Sequence, residues 1–207
     1  MYQPTHHRED RLDVQHGFIE SHPLGLIISS GPEGLLANSI PFLLQRVSGP
    51  LGTLQAHMAR GNLQWQGIDG QKVLIVFQGP QSYVSPSFYE TKRETGKVVP
   101  TWNYAMVQVR GVARLRTDPA WLGAQIEALT SRHENSRAPS WAVSDAPRTY
   151  IESQMRGIVG IEVEIGTIEG KWKVSQNRPE ADRRGVAEGL ARDNPAMSEL
   201  VRRYGKV

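Results

Sequence analysis

The strongest constraint on the fold is a series of β-patterned segments that follow one another, without long helices between them, from residue 24 to residue 116. LGLIISS and LLANSIPFLLQRV flank the turn-forming GPEG, and TLQAHMA, KVLIVFQG and VVPTWNYAMVQVRGVARLR follow. Strands joined by short turns pair antiparallel, whereas parallel pairs need long crossover connections. The order therefore predicts an antiparallel sheet and argues against a Rossmann-type sheet.

Gly111 lies inside the longest of these segments, between Val109 and Val112. A glycine at such a place predicts a bulge or a bend of the kind that barrel strands need. Together with a last β segment, IVGIEVEIGTIEGKWKVSQ, the chain has about six or seven strands. The pattern predicts a mainly β fold of the barrel type with peripheral helices.

Helical signals lie at the two ends of the chain and between its last two long strands. The segment REDRLDVQHGFIESHP predicts a short helix that Pro23 ends. Asp118 with Pro119, and Asp145 with Pro147, predict an N-cap followed by a proline in the first turn of two more helices. Residues 178–207 predict a C-terminal helical extension of a single domain that spans residues 1–207.

Composition limits the class of protein. With 39% hydrophobic and 22% charged residues, the chain can build a core and does not resemble a disordered protein. It has no cysteine, and its six histidines are scattered, so we expect neither disulfides nor a metal site. No apolar run approaches the ~20 residues of a membrane span, and no signal peptide is evident. We expect a soluble, cytoplasmic protein.

The charge pattern leaves nucleic-acid binding open. The formal net charge is +3, and acidic residues alternate with the basic residues near the C-terminus. Such alternation is typical of solvated helix faces, whereas DNA-binding proteins usually concentrate basic charge on one face. DNA is therefore a candidate partner that the charge does not require. No phosphate-loop, dinucleotide-binding, zinc-protease or nucleophile-elbow motif identifies a catalytic residue.

The first candidate site is HMARGN at residues 57–62. His57, Arg60 and Asn62 follow one another where a strand passes into a turn, and such groups donate charge-assisted hydrogen bonds to a phosphate. Backbone N–H groups that the turn frees can join them. The alternative is a strand end with solvated polar residues.

The second candidate is PTWNYAM, with Trp102, Asn103 and Tyr104 at the start of a strand. As a site, the segment supplies an aromatic wall and an amide for a planar heterocycle. As ordinary core packing, the strand buries Trp102 and Tyr104 on one face, and Asn103, on the other, needs a polar partner.

The third candidate is KWKVSQNRP at the end of the last strand. Strand alternation predicts Lys171, Lys173, Ser175 and Asn177 on one face, and the intervening Trp172, Val174 and Gln176 on the other. A concentration of hydrogen-bonding side chains at a strand end favours ligand binding over core packing. An exposed edge strand protected by lysines is the alternative.

Six motifs occur in an order that resembles a known family: MYQPTHH, HPLGLI, HMARGN, YVSPSFY, VPTWNY and KWKVSQNRP. They are similar to motifs of the PaiB-type FMN-binding regulators, in the FMN-binding split-barrel superfamily. The resemblance covers nearly the whole chain. His7, Gly61 and Ser39 depart from it, since the family pattern has Phe, Ala and His there.

The resemblance implies an antiparallel split β-barrel that forms a homodimer, with FMN bound at the subunit interface. It implies phosphate-side roles for His57, Arg60 and Asn62, and places Trp102, Asn103 and Tyr104 along the flavin. The last three predicted cofactor-binding residues, Lys173, Gln176 and Asn177, are expected to reach the flavin from the partner chain.

The function that the resemblance implies is negative transcriptional regulation, as a repressor. An FMN-dependent oxidoreductase acting on NAD(P)H or a small redox substrate is the alternative, since the same barrel can serve both functions. Binding of another planar cofactor such as haem is a third reading of the resemblance.

Overall fold

The computed structural model describes all 207 residues. It contains eight β-strands, which are Arg8–Glu9 (β1), Leu24–Gly31 (β2), Gly34–Pro41 (β3), Leu43–Gln45 (β4), Thr53–Ala59 (β5), Lys72–Val84 (β6), Thr101–Arg116 (β7) and Ile158–Lys173 (β8). Its six α-helices are Leu12–Ser21 (α1), Glu90–Thr95 (α2), Pro119–Glu134 (α3), Arg148–Arg156 (α4), Glu180–Leu190 (α5) and Pro195–Gly205 (α6). The predicted class, mainly β with peripheral helices, is confirmed.

All strands belong to one sheet, in the order β3-β2-β6-β7-β8-β5-β4, and β1 pairs with β8. The pairs β2–β3, β2–β6, β4–β5, β5–β8 and β1–β8 are antiparallel. The predicted hairpin is present, because Gly31 pairs with Gly34 across a two-residue turn. No helix is long and apolar enough to span a bilayer.

Tertiary contacts divide the chain into two compact units. Unit 1 consists of Met1–Gln15, Gln78–Val107 and Glu169–Val207. Unit 2 consists of His16–Phe77 and Gln108–Ile168. Three strands, β6, β7 and β8, contribute residues to both units. A single domain over residues 1–207 with an extension at 178–207 stays a prediction.

Each unit has its own buried residues. In unit 2 the alternation of β2, β5 and β8 buries Ile27, Leu54 and Ile161 completely. In unit 1 the helices α5 and α6 bury Val186 and Val201 completely. Because apolar burial is the main favourable term in folding, these residues stabilise the elements that carry the candidate motifs.

Gly111 has a different role from the predicted bulge or bend. The strand β7 continues through it, and a Cβ at this position would lie 2.2 Å from the backbone oxygen of Glu164. The glycine is therefore required because the backbone of β8 approaches too closely for a side chain.

One predicted helix cap is confirmed and the other is wrong. The Asp118 side chain accepts a hydrogen bond from the Trp121 N–H (2.8 Å) and caps α3. In α4, Pro147 itself occupies the N-cap position, without a side-chain hydrogen bond. Asp145 lies two residues too early and accepts instead from the Ala142 N–H, in the preceding 3₁₀ turn.

Candidate functional site

The HMARGN motif lies in unit 2, where β5 ends. The pairing of β5 with β8 extends to Ala59 opposite Ile158, and the Arg60 N–H then donates to the Gly157 oxygen (2.9 Å). His57 is half-buried, and Arg60 and Gly61 are exposed. The predicted location, a strand passing into a turn, is confirmed.

His57 has a partner on a neighbouring helix. Its Nδ1 lies 2.8 Å from the Oε1 of Gln125, on α3. Gln125 is 2% exposed, and its Nε2 has no hydrogen-bond partner. Because Nδ1 donates to Gln125 Oε1 in this arrangement, Nε2 of the imidazole stays available for a ligand.

The Arg60 side chain is held at its Nε, while its terminal Nη groups are free. Its Nε donates to the Arg156 oxygen (3.0 Å), and its guanidinium carbon lies 5.7 Å from the ring centroid of Trp65. The Trp65 Nε1 donates back to the Arg60 oxygen (2.9 Å). The two Nη groups make no hydrogen bond within the protein, so they can bind an anion.

Asn62 caps the short 3₁₀ helix Leu63–Gly67. Its Oδ1 accepts from the Gln64 N–H (3.1 Å) and from Asn38 Nδ2 (3.5 Å). Its own Nδ2 makes no hydrogen bond and can donate to a ligand.

Gln64 is a residue of this region that the sequence did not reveal. Its side chain is 3% exposed and donates to Ser29 Oγ (2.9 Å). It also accepts from Asn38 Nδ2 (2.9 Å). A cleft of about 630 Å³, in the range of small-molecule sites, adjoins it and is lined in part by Leu36, Leu63 and Gln71. Since a glutamine in a short polar segment normally lies in solvent, no sequence signal distinguished it.

The WNY motif lies in unit 1. Its side chains point the opposite way from the core-packing alternative, with Asn103 inward and Trp102 outward. Trp102 is 54% exposed, Asn103 is 1% exposed and Tyr104 is half-buried. Burial of Trp102 in a core strand is therefore wrong. The indole lies against the ring of Tyr83, with 6.2 Å between centroids. The buried amide rather than the large aromatic ring points inward because it has a polar partner there.

That partner is Ser175, in the KWKVSQNRP segment. The Asn103 Nδ2 donates to Ser175 Oγ (2.9 Å). Ser175 has φ of 66°, a left-handed conformation that is uncommon for residues other than glycine. Its backbone oxygen accepts a hydrogen bond from the Arg178 N–H (2.9 Å). Such a conformation persists when surrounding contacts enforce it. Asn103 and Arg178 supply those contacts.

The two-face pattern predicted for residues 171–177 is wrong beyond Lys173, because β8 ends there and a turn follows. Val174 and Ser175 are both buried, and Asn177 is exposed. The Gln176 side chain folds back onto its own segment: its Oε1 accepts from the Val174 N–H (2.8 Å), and its Nε2 donates to the Trp172 oxygen.

Lysines 171 and 173 bring positive charge into unit 1. Lys171 is 7% exposed, donates to the Tyr2 oxygen (2.9 Å) and lies 5.3 Å from the ring centroids of Tyr2 and Tyr104. Lys173 donates to Thr101 Oγ1 (2.5 Å) and to the Trp102 oxygen. Burial, and then the charges of Lys171 and Arg178, lower the pKa of Lys173.

The predicted site residues thus fall into two groups. His57, Arg60 and Asn62 belong to unit 2, and the remaining predicted residues belong to unit 1. Within unit 1, the structure brings Asn103 and Lys173 to the same turn, through Ser175 and the start of β7. No cluster of three His, Asp or Glu side chains could hold a metal ion.

Comparisons with known proteins agree with this fold. The family model described as "Putative FMN-binding domain" matches residues 1–167. An uncharacterized protein of Emericella nidulans is 36% identical, in an alignment that covers 100% of this chain and 98% of the relative. The Bacillus subtilis "Protease synthase and sporulation protein PAI 2" is 27% identical over 97% of this chain and 95% of its own.

Among solved structures, the FAD and heme binding protein from Mycobacterium smegmatis is similar with a TM-score of 0.56 at 17% identity, over 79% of this chain and 71% of that one. The likeness confirms the predicted split β-barrel, and the family match confirms FMN as the cofactor. Since that match covers residues 1–167 and a 36% identical relative aligns with the whole chain, this protein belongs to the FMN-binding split-barrel family, as its motifs predict.

Proposed function

We propose that this protein is a homodimeric FMN-binding negative transcriptional regulator of the PaiB type. The observation that carries the proposal is the similarity to the Bacillus subtilis protease-synthase and sporulation protein over 97% of the chain. That alignment extends past residue 167, where the family match ends, and so takes in most of α5 and α6. The likeness therefore includes the elements outside the flavin-binding match.

The FMN phosphate is proposed to bind at His57, Arg60 and Asn62. Each has a polar atom that the protein leaves unused: Nη of Arg60, Nδ2 of Asn62 and Nε2 of His57. A guanidinium forms strong charge-assisted hydrogen bonds to phosphate. The backbone oxygen of Arg156 holds the Arg60 side chain in place, and Gln125 holds His57.

The flavin ring is proposed to lie along Trp102 and Tyr104. The exposed indole of Trp102 can stack on a planar ring. Asn103 serves the same site by holding Ser175 in its left-handed conformation.

Lys173, Gln176 and Asn177 are proposed to contact FMN held by the other chain of the dimer. Lys173 is the last residue of β8, and Gln176 and Asn177 lie in the turn that follows. In a two-fold dimer, each chain contributes the same surface to its partner, so two equivalent flavin sites result.

FMN, when bound, would supply redox chemistry or act as a ligand that the regulator senses. The chain's own residues would bind the phosphate, orient the ring and exclude water from it. No side chain of the site is assigned a proton-transfer role.

The test begins with the visible spectrum of the purified protein, where oxidised flavin bands are expected and an intense Soret band would indicate haem. DNA binding is then measured on a duplex from the protein's own promoter region, at several salt concentrations. A direct regulator should bind specifically, with an affinity that falls steeply with salt. Flavin-dependent NAD(P)H oxidation without specific DNA binding would instead establish the oxidoreductase alternative.

A further inference from the structure

Unit 1 gathers basic side chains without an acidic partner. The group, called here the basic cluster, consists of His7, Lys171, Lys173 and Arg178. No carboxylate forms an ion pair with any member of it, whereas Arg11 and Arg116, for example, each pair with a glutamate. The cluster therefore collects several cations in one place without a counter-ion.

Lys171 is the most buried ammonium group of the cluster. It is 7% exposed, and only the Tyr2 oxygen accepts a hydrogen bond from it, at 2.9 Å. The two tyrosine rings beside it contribute cation–π attraction but no negative charge. A buried ammonium normally has a carboxylate or another anion as its partner. Lys171 has donors to spare and no such partner.

Lys173 experiences repulsion from its neighbours. Lys171 and Arg178 both act on it as like charges. Its two protein acceptors, Thr101 Oγ1 and the Trp102 oxygen, are neutral. Two lysines held near each other by neutral contacts create a positive potential that an anion would relieve.

His7 supplies an unused polar atom. The residue is 5% exposed, and its Nδ1 has no hydrogen-bond partner. Buried polar atoms are nearly always hydrogen-bonded, so an orphaned ring nitrogen beside two lysines indicates a missing ligand. His7 also replaces the phenylalanine of the family pattern, so this nitrogen is a feature of the present chain.

We infer that the basic cluster is a binding subsite for a small oxyanion, a phosphate or a carboxylate group, carried by a ligand other than FMN. Lys171 and Lys173 would neutralise its charge, and the ring of His7 would donate to one of its oxygens. The inference rests on the proposed function, which assigns the FMN phosphate to residues 57–62 and gives Lys173 a contact with FMN of the partner chain; the second ligand is therefore expected chiefly at Lys171 and His7.

The probe is inorganic phosphate, titrated into the apoprotein and into the FMN-saturated protein. Binding is followed by the NMR signals of the His7 ring nitrogens. We expect a saturable shift in both forms, together with an increase of the His7 pKa from about 4, because a bound anion stabilises the imidazolium. Lys171→Met should weaken phosphate binding about tenfold or more. The exposed Lys97→Met, also in unit 1, is the matched control and should leave it unchanged.

Several results would overturn the inference. These are the absence of a saturable shift in the wild type, and unchanged affinity in Lys171→Met. If Lys171→Met does not fold, the half-buried Lys173→Met takes its place, with the same expectation. Displacement of phosphate by FMN would mean that FMN's own phosphate occupies the cluster. Failure of FMN to bind at all would contradict the proposed function but leave the apoprotein titration intact.

Discussion

The strand end at residues 57–62 and the basic cluster both present positive charge, but they differ in burial. Arg60 is exposed, so water solvates its guanidinium when no ligand is bound. Lys171 is 7% exposed and has no counter-ion. An exposed cation costs little without a ligand, whereas a buried one is destabilising until an anion arrives. If both proposals hold, the first region binds phosphate at little cost in the free protein, whereas anion binding at the basic cluster stabilises the fold.

Replacement of Arg60 gives the largest expected effect on the exposed region. Arg60→Ala removes a charge-assisted contact worth roughly 1.5–3 kcal/mol, which raises the Kd for FMN about tenfold or more. Riboflavin lacks the phosphate, so its affinity should barely change. Fluorescence titration with both flavins measures the difference. Equal losses for FMN and riboflavin would show that Arg60 supports the fold instead, through Arg156 and Trp65.

A substitution of Gln125 tests whether the orientation of His57 matters for binding the FMN phosphate. Gln125→Leu keeps the side-chain volume but removes the acceptor for His57 Nδ1. Loss of one hydrogen bond, worth about 1 kcal/mol, should raise the Kd for FMN about fivefold and leave riboflavin unaffected. The ring-nitrogen NMR shifts of His57 should change at the same time. Unchanged shifts and unchanged FMN affinity would exclude a positioning role for Gln125.

Mixing two variants tests whether the two regions meet at one ligand in a dimer. Arg60→Ala and Lys173→Ala should each bind FMN weakly as homodimers. If each site combines residues 57–62 of one chain with residues 173–178 of the other, half of the randomly exchanged dimers regain one intact site. About a quarter of all sites should then bind FMN normally. No recovery, despite subunit exchange proven by mass spectrometry, would place each site within one chain.

His7 gives the smallest effect, a change in the pH dependence of stability. Burial, the adjacent His6 and the two lysines lower its pKa from 6.5 to about 4, although the side chain of Gln176, as an acceptor for the ring, acts to raise it. Between these values the unfolded chain binds the proton more readily, so His7 reduces stability as pH falls from 6.5 towards 4 and has no such effect above 6.5. In His7→Phe, the midpoint of urea unfolding should change less with pH between about 4 and 6.5. An equal pH dependence of the midpoint in both proteins would refute the lowered pKa.

Local patterns predicted much of the secondary structure. The GPEG turn, the Asp118 cap and the strand that ends at HMARGN follow from turn residues, a capping side chain and alternation, all of which act within a few residues. The local pattern predicted the wrong N-cap where two neighbouring residues could both take that position. Pro147 took the N-cap position that Asp145 was expected to hold.

The amino-acid sequence alone was sufficient for the antiparallel barrel and the family, and it predicted a phosphate site at residues 57–62. It did not reveal that Asn103 turns inward to Ser175, 72 residues away, or that Gln125 orients His57 across 68 residues. It also did not reveal that Lys171 is buried without a counter-ion. Hydrogen-bonding capacity and alternation are properties of short segments. Which partner a polar group finds, and whether water reaches it, depend on segments that only the folded chain brings together.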